Sequence, residues 1–143
     1  MNGAPACIRI HSVIDGSGTD REYPGEYAFK NNTHLIVYTD YTGNDITRCG
    51  LQADGSGMLL HRTGAFAGDM FFSPDTPAFV DYAADALGAK LIIHTQRYEL
   101  SASAGRLSIE LAYSLSGPDG HDRTEVAQRI EVLISNNEEC CST

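Results

Sequence analysis

The sequence predicts an all-β protein, an antiparallel meander β-barrel of about 8–10 strands. Stretches of alternating apolar and polar residues recur along most of the chain, as half-buried strands require. Turn signals rich in Gly, Asn and Asp separate them at intervals of roughly ten residues. Helix-favouring composition is confined to the alanine-containing patch at 83–87. Consecutive short hairpins favour a meander over a sandwich, and a sheet of this many strands tends to curl and close, which removes its exposed edges.

The first strand covers residues 6–14, with Ile8, Ile10, Ser12 and Ile14 on one face and Arg9, His11 and Val13 on the other. Asp15-Gly16-Ser17-Gly18 supplies the positive-φ positions of a hairpin turn, and a return strand is expected to begin near Arg21. Pro24 has no amide hydrogen, so it belongs at an edge or at a break in the ladder, with Gly25, Tyr27 and Phe29 continuing one face beyond it. Lys30-Asn31-Asn32-Thr33 is the next turn, and Leu35 to Asp40 forms a strand that places Ile36, Tyr38 and Asp40 on one side. After Thr42-Gly43-Asn44-Asp45, Thr47, Cys49 and Leu51 share a face; after Asp54-Gly55-Ser56-Gly57, Met58, Leu60 and Arg62 share another.

Met70 to Phe72 is a short apolar strand, and Ser73-Pro74-Asp75-Thr76-Pro77 must be a loop because two prolines deny ladder donors. Phe79 to Ala83 resumes as a strand, with a helical turn expected through 83–87. Leu91, Ile93, Thr95 and Arg97 alternate with Ile92, His94, Gln96 and Tyr98. The clearest alternation sets Leu107, Ile109, Leu111, Tyr113 and Leu115 against Ser108, Glu110, Ala112 and Ser114. The last strand turns Val126, Gln128, Ile130, Val132 and Ile134 inward. Residues 1–134 read as a single β-barrel domain and 135–143 as a polar C-terminal tail.

A chain of 143 residues with 42% hydrophobic and 20% charged side chains can bury one stable core and has ordinary globular composition. Nineteen acidic against ten basic residues give a formal charge of -9, which repels nucleic-acid phosphate and anionic lipid. The N-terminal residues lack a signal core, and no stretch approaches the roughly 18 continuous apolar residues of a membrane span. A cytoplasmic protein is expected, with no nucleic-acid or membrane partner. The four cysteines, Cys7, Cys49, Cys140 and Cys141, show no metal spacing and are expected to be reduced, the last two exposed and oxidisable.

The succession Tyr38-x-Asp40, Thr47, Arg62-x-Gly64, Met70-x-Phe72, Tyr82, Gly88 followed by Leu91, Thr95, and Gly105-x-Leu107-x-Ile109 resembles the YwiB-like group of uncharacterised bacterial proteins. The order and spacing of these short pieces carry the resemblance, which covers nearly the whole chain. It departs from that pattern in the Ser73-Pro74 loop and in the cysteine-bearing tail. The resemblance implies a calycin- or lipocalin-like barrel, a fold that often holds a small apolar ligand, and implies no activity.

Arg62 is in phase with Met58 and Leu60, so a guanidinium enters an apolar face and needs a carboxylate or several acceptors. Asp40, in phase with Ile36 and Tyr38, is the candidate partner. In the functional reading this pair, with Tyr38, Tyr82, Thr95 and Tyr113 around it, forms the polar end of a pocket for a small, partly apolar ligand. In the structural reading the pair plugs the barrel, or Arg62 snorkels from its rim, and the protein acts through its outer face or as a homodimer. An enzyme is less favoured: no Gly-x-Ser-x-Gly is present, and Asp40, Asp81 and Glu99 sit on separate strands. The five histidines, His11, His34, His61, His94 and His121, form no ligand pair, and neither a metal site nor a cofactor is expected.

Overall fold

The computed structural model describes residues 3–64, 68–81, 90–117 and 123–134. Its ten strands are β1 (Ala4–Ile14), β2 (Ser17–Lys30), β3 (Thr33–Thr42), β4 (Asp45–Asp54), β5 (Gly57–Gly64), β6 (Gly68–Phe72), β7 (Ala78–Asp81), β8 (Lys90–Ser103), β9 (Arg106–Ser116) and β10 (Thr124–Ile134). They form one antiparallel sheet in the order β6-β5-β4-β3-β2-β1-β10-β9-β8-β7. Chain neighbours are sheet neighbours throughout, apart from β6 and β7, which stand at the two edges.

Those edges come together, so the sheet curls into a nearly closed meander barrel with its seam between β6 and β7. The seam has a local cause. β6 has 5 residues and β7 has 4, and the loop joining them carries Pro74 and Pro77. Short strands that meet across a proline loop have few donors to offer one another.

The turns follow from their residues. Asp15 and Gly16 have φ of 47° and 87°, and Asn31 and Asn32 have φ of 54° and 60°, the left-handed pairs of two-residue hairpins. Because only Asp15 and Gly16 form the first turn, β2 begins at Ser17, earlier than the expected start near Arg21. At the β4–β5 turn the Asp54 carboxylate accepts from the Ser56 amide and hydroxyl and from the Gly57 amide (2.8, 2.7 and 3.2 Å), which holds its pKa below the ordinary value.

The apolar core occupies the end of the barrel where β1 starts. Ile8, Ile36, Met58, Phe72, Leu107, Ile109 and Val132 are fully buried there. Phe72 packs on Tyr113 at a ring distance of 4.7 Å. Tyr98 donates across the interior to the Asp54 carbonyl (2.6 Å).

β8 departs from simple alternation. Thr95 pairs with Tyr113 but Arg97 pairs with Ala112, so Gln96 is an extra residue in a bulge. One inserted residue flips every side chain after it. Arg97, which unbroken alternation would keep on the side of Thr95, instead faces outward to Glu99 (3.0 Å) and Glu110 (2.9 Å), and Tyr98 turns in.

A second departure concerns Cys7, which is buried on the outer face of β1 and disulfide-bonded. The expectation of four reduced thiols is corrected. Residue spacing does not report which sulfurs a fold brings together, and the partner of Cys7 lies outside the described residues. Cys49 is a free thiol. Tyr82, the helical turn expected at 83–87, the tail at 135–143 and Cys140 and Cys141 also lie outside the described residues.

Two stability predictions follow from these contacts. A Cβ on Gly25 would lie 2.3 Å from the Val37 carbonyl oxygen and 2.5 Å from Ile8 Cδ1, whereas one on Gly50 would meet nothing nearer than 3.9 Å. Gly25→Ala should therefore cost about 1–3 kcal/mol in urea unfolding, with Gly50→Ala near neutral as the control. Burial also lowers the His34 pKa from its ordinary 6.5, beside the Tyr27 hydroxyl at 2.6 Å. Below pH 6.5 the unfolded chain then binds this proton more readily, so stability should fall with pH until the lower folded-state pKa is passed. His34→Gln should flatten that step in a series of urea midpoints against pH.

Candidate functional site

The inward faces that fill one end of the barrel with apolar groups become polar towards the other. On β1 the inward sequence is Ile8, Ile10, Ser12; on β3 it is Ile36, Tyr38, Asp40. On β4 it runs backwards from Leu51 to Cys49 and Thr47, and on β5 from Met58 through Leu60 to Arg62. The residues towards the polar end, Ile10, Ser12, Tyr38, Asp40, Cys49, Thr47, Leu60 and Arg62, with Thr19, Arg21 and Tyr23 of β2 and Gln128 of β10, line a cavity of about 240 Å³. Only Ile10 and Leu60 in that lining are aliphatic.

The polar groups form a connected set. Tyr23 and Tyr38 stack with ring centroids 4.7 Å apart and planes inclined by 25°. The Tyr23 hydroxyl hydrogen-bonds Asp40, and its pKa is pushed up to about 12, first by burial and then by the Asp40 charge. Tyr38 donates to the Cys49 sulfur, and burial raises its pKa further still. Gln128 Nε2 donates to the Ser12 hydroxyl at 3.1 Å.

Burial raises the Cys49 thiol as well, outweighing the opposing pull of Tyr38 and Arg62. The thiol is therefore protonated near neutral pH, which makes it a poor nucleophile. Among the described residues, no group of three or more His, Cys, Asp or Glu could hold a metal ion. His11 and His61 are engaged on the outer surface by Asp20 and Asp69.

Arg62 reaches the cavity as its phase requires, but it does not close an ion pair with Asp40. Its Nη2 donates to Met70 Sδ at 3.4 Å, and its Nε is buried with no acceptor. Asp40 is held by Tyr23 instead. A thioether is a weak acceptor, and an unmatched buried donor costs about 1–3 kcal/mol.

Of the other anticipated site residues, Tyr38 lies in the cavity wall. Tyr113 packs against Phe72 in the core, and Thr95, its ladder partner, has a buried hydroxyl without a protein partner. Neither lines the cavity. Tyr23, Arg21, Ser12, Thr19, Thr47 and Gln128 were missed, although the phase of each strand already placed Ser12, Thr47 and Gln128 inward. The usable signal was a change from apolar to polar along one face, a pattern that simple alternation does not detect.

Comparison with known proteins adds the family and the fold. Residues 8–124 match a family model described as a domain of unknown function, DUF1934. That span contains every cavity-lining residue except Gln128. The chain is also similar to the crystal structure of ywiB protein from Bacillus subtilis, with a TM-score of 0.77, 18% identity and 94% of each chain covered. At that identity the likeness concerns the fold alone. No curated protein matches the chain.

If the guanidinium of Arg62 costs stability where it stands, replacing it with an apolar group of similar length should release that cost. Arg62→Met should stabilise the protein by about 1 kcal/mol, read from the urea midpoint at unchanged slope. A loss of stability would show instead that Arg62 holds the barrel together.

Proposed function

The chain belongs to the DUF1934 family of domains of unknown function, and on that premise we propose that it binds a small, polar, anionic ligand, most simply a carboxylate, inside the polar half of the barrel. The observation that carries this reading is the Arg62 guanidinium, which faces a cavity of about 240 Å³ with its Nε buried and unmatched. A ligand carboxylate would accept from the guanidinium in a charge-assisted hydrogen bond, a role that the Met70 sulfur, the acceptor of Nη2, fills poorly.

Size and charge narrow the ligand. The cavity is smaller than the roughly 300–1,000 Å³ typical of sites for drug-sized molecules, so a compact metabolite fits and a long acyl chain does not. Two arginines, Arg21 and Arg62, stand against one carboxylate, Asp40, in the lining. That balance favours an anion, and the hydroxyls of Tyr23, Tyr38, Ser12, Thr19 and Thr47 offer further polar contacts. The partly apolar ligand suggested by the barrel class gives way to a polar one.

Binding is favoured over reaction for a chemical reason. Asp40 is engaged by Tyr23, whose own proton is held tightly, and the Cys49 thiol stays protonated. No acid–base pair or activated nucleophile faces the cavity among the described residues.

The test is isothermal titration of the purified protein with a panel of small mono- and dicarboxylic acids, preceded by native mass spectrometry to find any acid that co-purifies. Arg62→Met should weaken the best ligand about 10- to 100-fold, the loss expected for one charged hydrogen bond. Unchanged affinity in that variant would refute the assignment.

A further inference from the structure

The β2–β3 ladder is incomplete. β2 pairs with β1 as far as Ser17 opposite Ile14, and β3 pairs with β4 as far as Thr42 opposite Asp45. Between β2 and β3, however, pairing stops at Gly25 opposite Tyr38. Beyond that point, residues 17–24 of β2 and 39–42 of β3 each have a sheet partner on one side only. The break falls at Pro24, which has no amide hydrogen to continue the ladder.

The parted strands enclose a cleft of about 520 Å³ between residues 20–24 and 39–41. It is continuous in its lining with the interior: Arg21, Tyr23 and Asp40 border both the cleft and the cavity. The other charged residues of the cleft, Asp20 and Glu22, are paired on the outer face with His11 (2.5 Å) and Arg9 (3.4 Å). A solute moving inward would therefore meet Arg21, Tyr23 and Asp40, and then Arg62.

We propose that small solutes reach the cavity sideways, through the wall of the barrel between β2 and β3, past Tyr23 and Asp40. What passes inward rests on the anion-binding reading above, but the opening itself does not. Tyr23 stands at the threshold, stacked on Tyr38 and hydrogen-bonded to Asp40, and thus sets the width of the passage.

Cys49 provides a reporter, since it is a free thiol in the cavity wall and only 6% exposed. The full-length protein would be treated with neutral methyl methanethiosulfonate. In alkaline buffer, which takes the proton from part of the Cys49 thiol, the thiolate attacks the sulfenyl sulfur, a mixed disulfide forms and methanesulfinate leaves. Labelling at Cys49 is followed by peptide mass spectrometry, with circular dichroism to confirm that each variant is folded.

Three variants separate the routes. Thr39→Trp adds bulk beside the cleft and should slow labelling about tenfold, while Tyr23→Ala widens the threshold and should accelerate it by a similar factor. Ile14→Trp adds bulk at the end of the barrel, where Ile14 is 47% exposed, and should leave the rate unchanged. Slowing by Ile14→Trp without slowing by Thr39→Trp would overturn the proposal in favour of access through the end. Absence of labelling in every folded variant would overturn it by showing a closed wall. The same experiment with an anionic sulfonatoethyl reagent, in the presence and absence of Arg62→Met, tests the anion site separately, because the neutral reagent does not depend on the guanidinium.

Discussion

The ladder between β1 and β10 is the interaction on which the rest of the structure depends. It runs from Ala6 opposite Ile134 to Ile14 opposite Val126 and joins the strands from the two ends of the described chain. Asp15 extends it, its amide donating to the Glu125 carbonyl (3.0 Å) while its carboxylate accepts from the Glu125 amide (3.1 Å). Without this ladder there would be two separate meanders, β1 to β6 and β7 to β10, each with both edges open. With it, the sheet runs unbroken in strand order from β6 round to β7, and its two edges meet at a seam where short strands and two prolines make hydrogen bonding difficult.

Closure fixes which face of every strand is enclosed, and the side chains on that face then divide the interior in two. Phe72, Met58, Ile8, Ile36 and Ile109 fill one end by burial of apolar surface, the dominant stabilising term. The other end holds tyrosines, hydroxyls, two arginines and a carboxylate around empty space. Polar groups enclosed without full hydrogen bonding cost stability, as the Arg62 Nε does. A packed half that makes the fold secure allows a second half whose side chains are arranged for something other than stability. This division supports the binding reading more strongly than resemblance to other barrels does.

Pro24 links the ladder to access. A residue that cannot donate a backbone hydrogen bond ends the β2–β3 pairing at the level where the interior changes from filled to hollow. Gly25, next in the chain, lets the strands approach closely just before they part. A tight closure and an adjacent opening are therefore built from two consecutive residues, and the same strand contributes Arg21 and Tyr23 to the cavity wall.

Much of this was present in local sequence. Period-two alternation is a property of the strand alone, so it placed Arg62 with Met58 and Leu60, set Asp40 beside Tyr38 and turned Leu107 to Tyr113 inward. Asp-Gly and Asn-Asn fixed the hairpins because their backbone preferences need no distant partner, and Pro24 marked a break for the same reason. The bulge at Gln96 was hidden because nothing in its own neighbourhood forbids continued pairing, and the flip of Arg97 and Tyr98 shows only against β9. The disulfide of Cys7, the choice of Asp40 by Tyr23 and the failure of Arg62 to meet Asp40 were likewise undetermined. Those distances depend on how ten strands stagger as the sheet closes, and stagger belongs to the whole barrel. Sequence specified which side chains face the interior; closure decided which of them meet, and where space was left between them.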